Sequence, residues 1–432
     1  MNKWWKEDLN RRTLLRLGVT GATLAAMPWA FTKEARATET NPHLLVVFYA
    51  DGGWDPTQTL DAHDPLDMTD GIDVDNPGQP VSAIRTVGPI MYQSNPATRP
   101  MVDTFFDNFS GKSAIVNAIS TRSTSHDQSR QLMLTGYLDP TRADFAVMAA
   151  HHNGESLPLP HLLLSGPSFG GPFAGLSGRA GGQMGTALDY LRIPTRTDPN
   201  QSNLAASAVG EAYIQQALDW DRQRESSLVD AVGGKLAGFY DAQRRGDKLG
   251  RLRSALQQQN MNNGTQFATF VGNAFRAGLM TSVTVGRGGG FDTHSDNTQQ
   301  NGRWNDVFQF LNDFCTGLQS QAGLISGSLL DETTIVQCSE FGRTPKLNDQ
   351  VGKDHHPWTS MIMVGKNVKP GVYGFTDGDQ EGIKVNFATG QPDDTGQIID
   401  VTNVVAGIVT LVGANSRDYL PSGVKPLTAM IA

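Results

Sequence analysis

The sequence predicts an α/β protein: one three-layer α/β/α domain with a central, mostly parallel sheet and a helical insertion. Three observations carry this reading. Short apolar runs recur along the chain and alternate with segments of helical spacing. The first run, residues 44–49, is apolar on both faces, as a strand buried inside a parallel sheet must be. The middle of the chain, residues 203–259, breaks the alternation and carries only amphipathic helical patterns.

Taken in order, the strand at 44–49 is bounded by His43 and by the turn Asp51-Gly52-Gly53. Residues 56–100 are rich in Pro, Asp and Gly and read as long loops. Residues 101–109 have helical spacing, and 113–119 form the second strand. Residues 129–134 open a helix that Gly136 closes. A short strand follows at 162–164. Within the middle region, 212–224 and 228–244 show one charged and one apolar face, so an insertion at about 195–265 is expected over or beside the site. The remainder alternates again: helix 267–279, strand 281–285, helix 304–318, strands 333–338 and 360–364, and a last helix at 401–411. No internal repeat is visible.

Residues 1–37 are read as an address. Arg11 and Arg12 form a twin-arginine pair followed by Thr13, Leu14, Leu15 and Arg16. A weakly apolar run, 17–31, is interrupted by Gly18, Gly21 and Pro28, and Ala35-Arg36-Ala37 offers a cleavage site. The run falls short of the roughly 20 residues a membrane span needs. The expectation is export through the twin-arginine translocase, cleavage, and a periplasmic or secreted domain at 38–432 with no stable membrane span.

The formal charge is −8, from 35 basic and 43 acidic residues. Removing 1–37 takes away seven Lys/Arg and three Asp/Glu, leaving 28 minus 40, or −12. Such a surface excludes a nucleic-acid binder that works by neutralising phosphates. Two cysteines exclude a disulfide scaffold and a cysteine-rich zinc site. Cys315 falls in a helical pattern and Cys338 in a strand. They pair in an oxidising compartment or remain as two buried thiols, and the sequence leaves both open.

Ligands of open α/β sheets bind beyond the carboxyl ends of the strands. Four expected strands here run directly or through a short loop into unusual polar residues. They are Asp51 to Asp55, Thr124-Ser125-His126-Asp127, Phe291-Asp292-Thr293-His294 after a glycine run, and Ser339-Glu340-Phe341-Gly342-Arg343. A fifth cluster is Lys353-Asp354-His355-His356. Carboxylates and imidazoles from separate strand ends can converge on a divalent ion. The candidate ligands are Asp51, Asp55, Asp292, His294, Glu340, Asp354, His355 and His356. Mixed oxygen and nitrogen donors favour zinc or manganese, with calcium or magnesium as alternatives. Each cluster also has an ordinary reading: turn-forming Asp292 or Asp55 beside glycine, a buried Glu340–Arg343 pair, or loop histidines bonded to backbone. The other five of the nine histidines, His43, His63, His151, His152 and His161, are read as structural.

These segments resemble the alkaline phosphatase/sulfatase superfamily. Asp51-Gly52-Gly53-Trp54-Asp55 is similar to its acidic first strand end. Ser129-Arg130-Gln131-Leu132-Met133-Leu134-Thr135-Gly136 is similar to the sulfatase signature ending S-R-x-x-L-L-T-G. Glu340-Phe341-Gly342-Arg343-Thr344-Pro345 followed by Asp354-His355-His356-Pro357-Trp358 resembles a bacterial, twin-arginine-exported family within it, known only as a domain of unknown function. The resemblance implies an alkaline phosphatase-like fold over most of 42–432. It also places His126 where the superfamily has a nucleophilic Ser, Thr or modified Cys, so the usual covalent route lacks its hydroxyl or thiol. His126 is then a metal ligand, a general base or a phosphohistidine-type nucleophile. Glu340 stands where the superfamily has Asp, and Phe341 where it has a ligating His, so a single-metal site is expected. Arg130, one helical turn after His126, matches the arginine that orders the nucleophile end in sulfatases, or else pairs with Asp127.

Two function classes follow. One is an exported metal-dependent hydrolase of a sulfate or phosphate ester, with His126 and Arg130 at the reaction centre and a small anionic ester or glycan as substrate. The other is a non-catalytic exported binding or assembly protein on the same scaffold.

Overall fold

The computed structural model describes residues 41–66, 71–179 and 263–432. The expected signal at 1–37 and, apart from its last three residues, the expected insertion at 195–265 lie outside the described residues, as do the two helices expected at 212–224 and 228–244.

The first strand, β1 (Leu44–Ala50), is buried on both faces and forms the middle of an eight-stranded sheet. A hairpin of β2 (Ala83–Val87) and β3 (Ile90–Ser94) follows, then α1 (Pro100–Phe109) and β4 (Ser113–Ser120). Next come α2 (His126–Thr135), α3 (Phe145–Gly154), β5 (His161–Leu163) and β6 (Ser177–Arg179). The chain resumes with α4 (Gly264–Arg276), β7 (Ser282–Gly286), α5 (Gln299–Gln319) and β8 (Thr333–Ser339). Last are β9 (Gly342–Arg343), β10 (His355–His356), β11 (Trp358–Gly365), β12 (Gly371–Tyr373) and α6 (Val401–Leu411).

The sheet order is β12-β4-β11-β8-β1-β7-β5-β6. β1 pairs in parallel with β7 and β8, β5 with β6 and β7, and β12 with β4. β11 is antiparallel to both of its neighbours, β4 and β8, so it alone in this sheet opposes the common direction. That reversal matters for the site. The carboxyl ends of the other strands gather at one edge, and the start of β11 lies at that same edge, where Trp358 pairs with Ser120. The segment just before β11, His355 and His356, is thereby delivered to the strand ends that carry the acidic residues.

Two apolar cores cover the two faces of the sheet. On β1 the even positions Leu44, Val46 and Phe48 enter one core with Phe105 of α1, Phe267 of α4 and Phe314 of α5. The odd positions Leu45, Val47 and Tyr49 enter the other with Leu132 of α2, Val147 of α3 and Val405 of α6. Period-two alternation with both faces buried gives the three-layer α/β/α architecture.

Several expectations change in detail. α2 begins at His126, three residues before the expected start, because Ser125 is extended and its carbonyl takes the Ser129 N–H at 2.8 Å. α4 spans 264–276 and α5 begins at 299. α3 was not expected: its run from Phe145 to Ala150 is buried all round, so it carries no amphipathic period. Its start is marked only by Asp144, whose side chain accepts the Val147 N–H. The hairpin β2–β3 falls inside the stretch read as loops, since β2 is mostly exposed and lacks apolar alternation. Cys315 and Cys338 are both free and buried. Among the described residues no helix is long and apolar enough to cross a membrane.

Candidate metal centre

The loop after β1 is shaped by its glycines. Gly52 has φ +112°, and a Cβ there would lie 2.6 Å from the Asp292 backbone nitrogen. Gly53 has φ +73°, and a Cβ there would run into the Phe341 ring. Glycine alone allows the three strand-end loops to close on one another.

Where they close, four side chains converge. His126 at the start of α2, Asp292 after β7 and His355 of β10 each present a ligand atom, all within 4.8 Å of one another. His294 joins them, with Nε2 3.0 Å from His355 Nε2 and 3.0 Å from Asp292 Oδ1. His355 Nε2 lies 3.2 Å from the same Asp292 oxygen, and His126 Nε2 lies 3.6 Å from the other.

The second nitrogen of each ring fixes its tautomer. His355 Nδ1 faces the Thr124 carbonyl at 2.8 Å, which can only accept. His294 Nδ1 faces Asp354 at 2.7 Å, and His126 Nδ1 faces Glu340 at 2.8 Å. Each Nδ1 therefore donates, and each ring turns its Nε2 toward the centre. Nε2 of His126 and of His355 and a carboxylate oxygen of Asp292 lie close enough to share one cation, and Nε2 of His294 stands beside them. Histidines oriented from behind by oxygen acceptors are the usual surroundings of a bound metal.

Electrostatics agree. Burial alone would raise Asp292, but the hydrogen bond and the charge of Arg343 outweigh it and hold the carboxyl below the ordinary carboxylate value. Burial, then the charge of Arg343, pushes His355 below the ordinary imidazole value, so it is neutral at neutral pH. Asp354 is lowered by its hydrogen bond from His294.

The ordinary alternative for the Glu340 cluster, a buried pair with Arg343, does not form, because Arg343 finds other partners. Arg343 is fully buried and donates to the carbonyls of Gly53 (2.7 Å), Gly52 and Lys353 (3.0 Å) and to Asp292 (2.8 Å). Phe341 is a wall: its ring lies 4.8 Å from His126 and 4.3 Å from His355. Tyr49 lies inside the first apolar run and Ser339 and Thr124 belong to the polar clusters, but nothing local to them gives their contacts, which only the tertiary structure sets.

The remaining candidates sit elsewhere. Asp55 is buried 2.8 Å from Lys353 and caps the short turn of helix at Pro56–Gln58. It points away from the cluster because Asn297 and Thr57 also hold it. His356 follows His355 on a strand and so faces the opposite side, its Nδ1 buried without a partner. Burial, then Lys353, lowers it to about 4. Asp51 is exposed and receives two hydrogen bonds from Arg130, at 2.7 and 3.2 Å. Arg130 also reaches Asp127 at 3.1 Å. Asp51, Arg130 and Tyr49 border a cavity of about 950 Å³ that extends along α5 past Arg303 and Asp306.

The three-layer sheet with a histidine and carboxylate cluster at its strand ends defines an α/β protein with a candidate metal centre. The chain belongs to the family described as protein of unknown function (DUF1501), whose model matches residues 42–417. No curated protein matches the chain. Two solved structures are similar to it. One comes from work on the metabolism of multiple glycosaminoglycans by Bacteroides thetaiotaomicron (10% identity, 89% of this chain and 75% of that chain, TM-score 0.34). The other was solved in complex with its substrate D-glucosamine-2-N,6-O-disulfate (11% identity, 90% and 79%, TM-score 0.32). At such identities neither lends a residue role to this chain.

Proposed function

We propose that this chain is an exported, metal-dependent hydrolase of a sulfate or phosphate ester. One observation carries the proposal: three histidines with their Nδ1 atoms already engaged turn three Nε2 atoms toward Asp292. The donor set fits a divalent ion, held by His126, His294, His355 and Asp292. Three nitrogens and one oxygen suit zinc or manganese better than calcium or magnesium. A bound ion would supply Lewis acidity to an ester oxygen.

The chain supplies the rest. Arg130, on the first turns of α2, and the backbone N–H groups at the start of that helix offer donors to the oxygens of a tetrahedral anion. Asp51 and Asp127 hold the guanidinium in place until an anion competes for it. No hydroxyl stands at position 126, and Ser123 is engaged with Gln128 and the Ser125 N–H. The adjoining cavity, with Ser165, Arg287, Arg303, Asp306 and Gln309 on its walls, has the polarity and size for the alcohol portion of the ester, a glycan among the candidates. Residues 11–16 and 35–37 support delivery by the twin-arginine translocase to the periplasm or beyond, as a single domain from about residue 38.

The test is elemental analysis of the mature protein, then aryl phosphates, phosphodiesters and aryl sulfates with several divalent ions. Expected are a bound ion, turnover of one ester class, its loss in His126→Ala, and weaker anion binding as well as slower turnover in Arg130→Ala. A metal-free protein whose stability ignores zinc, manganese and calcium sinks the proposal. Bound metal without turnover of any ester leaves the binding or assembly role. Arg11→Lys/Arg12→Lys precursor should stay in the cytoplasm, and unchanged export would remove the twin-arginine route.

A further inference from the structure

We propose that Glu340 is a positioning residue that selects the tautomer of His126, and not a ligand of the metal; the inference rests on the metal reading above and deepens it. A carboxylate has about four lone-pair sites. All four are taken. Oε1 accepts the Gly52 N–H at 2.9 Å and faces His126 Nδ1 at 2.8 Å. Oε2 accepts the Tyr49 hydroxyl at 3.1 Å and the Ser339 hydroxyl at 3.0 Å. The side chain is fully buried. A carboxylate saturated in this way has no site left for an ion.

The fold builds this cage from strand register. β1 and β8 are paired so that Ala50 stands opposite Ser339 and Tyr49 opposite Cys338. Glu340 is the first residue beyond β8, and the turn after β1 brings the Gly52 N–H across to meet it. Donors from two adjacent strand ends thus fix the carboxylate before His126 approaches from α2. With the other three sites of Glu340 filled by donors, its remaining Oε1 site meets His126 as an acceptor from Nδ1. The ring's Nε2 is then left bare and aimed at Asp292. Glutamate, one methylene longer than aspartate, reaches behind the imidazole instead of alongside it.

The experiment compares the wild type with Glu340→Ala, Glu340→Gln and Tyr49→Phe by two readouts. The first is the His126 tautomer in the metal-free protein, from long-range proton–nitrogen spectra at pH 8, above the ordinary imidazole value of about 6.5. The second is the affinity for cobalt(II) and zinc(II) by chelator competition. Expected is an Nδ1–H tautomer in the wild type that gives way to Nε2–H in Glu340→Ala. The alanine variant should bind both ions about 10–100-fold more weakly. Glu340→Gln should stay within about threefold of the wild type, because the Gly52 N–H keeps the amide oxygen toward His126. An Nε2–H tautomer in the wild type overturns the proposal, and so does unchanged metal affinity in Glu340→Ala. If the alanine variant does not fold, Tyr49→Phe decides: a loss of about threefold or more supports the cage, and an unchanged affinity overturns it. A wild type that binds neither ion, yet shows an Nδ1–H tautomer that Glu340→Ala loses, refutes the metal reading and leaves tautomer selection standing.

Discussion

Replacing Asp55 by Asn separates a structural carboxylate from a metal ligand, because the two roles predict opposite results. Asp55 Oδ2 lies 2.8 Å from Lys353 Nζ, and both side chains are fully buried. Asn297 Nδ2 donates to the same oxygen at 2.8 Å, while Oδ1 takes the Thr57 hydroxyl and N–H at 2.7 and 3.2 Å. Asparagine keeps an oxygen for Thr57, so the cap survives. It loses the charge that faces Lys353 and sets an amide N–H₂ against the donors of Asn297. Breaking one side of a buried pair costs about 3–5 kcal/mol, a large part of the roughly 5–15 kcal/mol that holds a domain together. Urea unfolding of the metal-free protein should register that loss, and Asp55→Asn/Lys353→Met should recover part of it. Zinc affinity of the folded variant should stay within about threefold of the wild type, against the 10–100-fold that losing a metal contact costs. Stability unchanged to within about 1 kcal/mol, far below the cost of an unpaired buried charge, together with a tenfold or greater loss of zinc affinity would make Asp55 a ligand and refute this reasoning.

His43 is buried at the entrance to β1 and bonded to Thr334, and burial, then Lys366, lowers it from 6.5 to about 3. Below pH 6.5 the unfolded chain takes up a proton that the folded chain refuses, so stability falls as pH drops from 6.5 toward 3 and is fully present above 6.5. The loss at pH 5 is on the order of 2 kcal/mol; urea unfolding of His43→Gln should show a smaller difference between pH 5 and pH 8, and an equal difference refutes the assignment. Gly52→Ala forces a Cβ against the Asp292 backbone at a φ of +112°, so it should destabilise by about 1–3 kcal/mol and weaken zinc binding, measured on the same titrations; wild-type values for both would mean that the loop has room. The buried thiols of Cys315 and Cys338 are pushed up by burial, so a thiol reagent should titrate both only after unfolding, and a rapid reaction with the native protein would contradict their placement.

Much of the fold was legible because its physics is local. Residues 44–49 had to be a buried strand, since a continuous apolar run followed by a glycine turn has no other economical use, and 401–411 had to be a helix. The chemistry was legible in outline for a similar reason: polar clusters directly after apolar strands fall at the carboxyl edge of a parallel sheet. That argument named Asp292, His294, His355 and His126, all of which converge. It also named Asp55 and His356, which do not. Position along the chain gives a strand end but not the direction in which a side chain leaves it. For His355 and His356 that direction is set by the two-residue strand β10, which sends neighbours to opposite sides. For Asp55 it is set by Lys353, nearly three hundred residues away, a partner no local pattern can supply. The cage around Glu340 is likewise a matter of register: Tyr49 and Ser339 meet it only because β1 and β8 pair as they do. The sequence by itself determined which groups lie at the rim of the sheet. Only the tertiary structure decided which of them point inward as donors and which stand behind, because hydrogen bonds between residues far apart in the chain orient each ring and choose each carboxylate's partner.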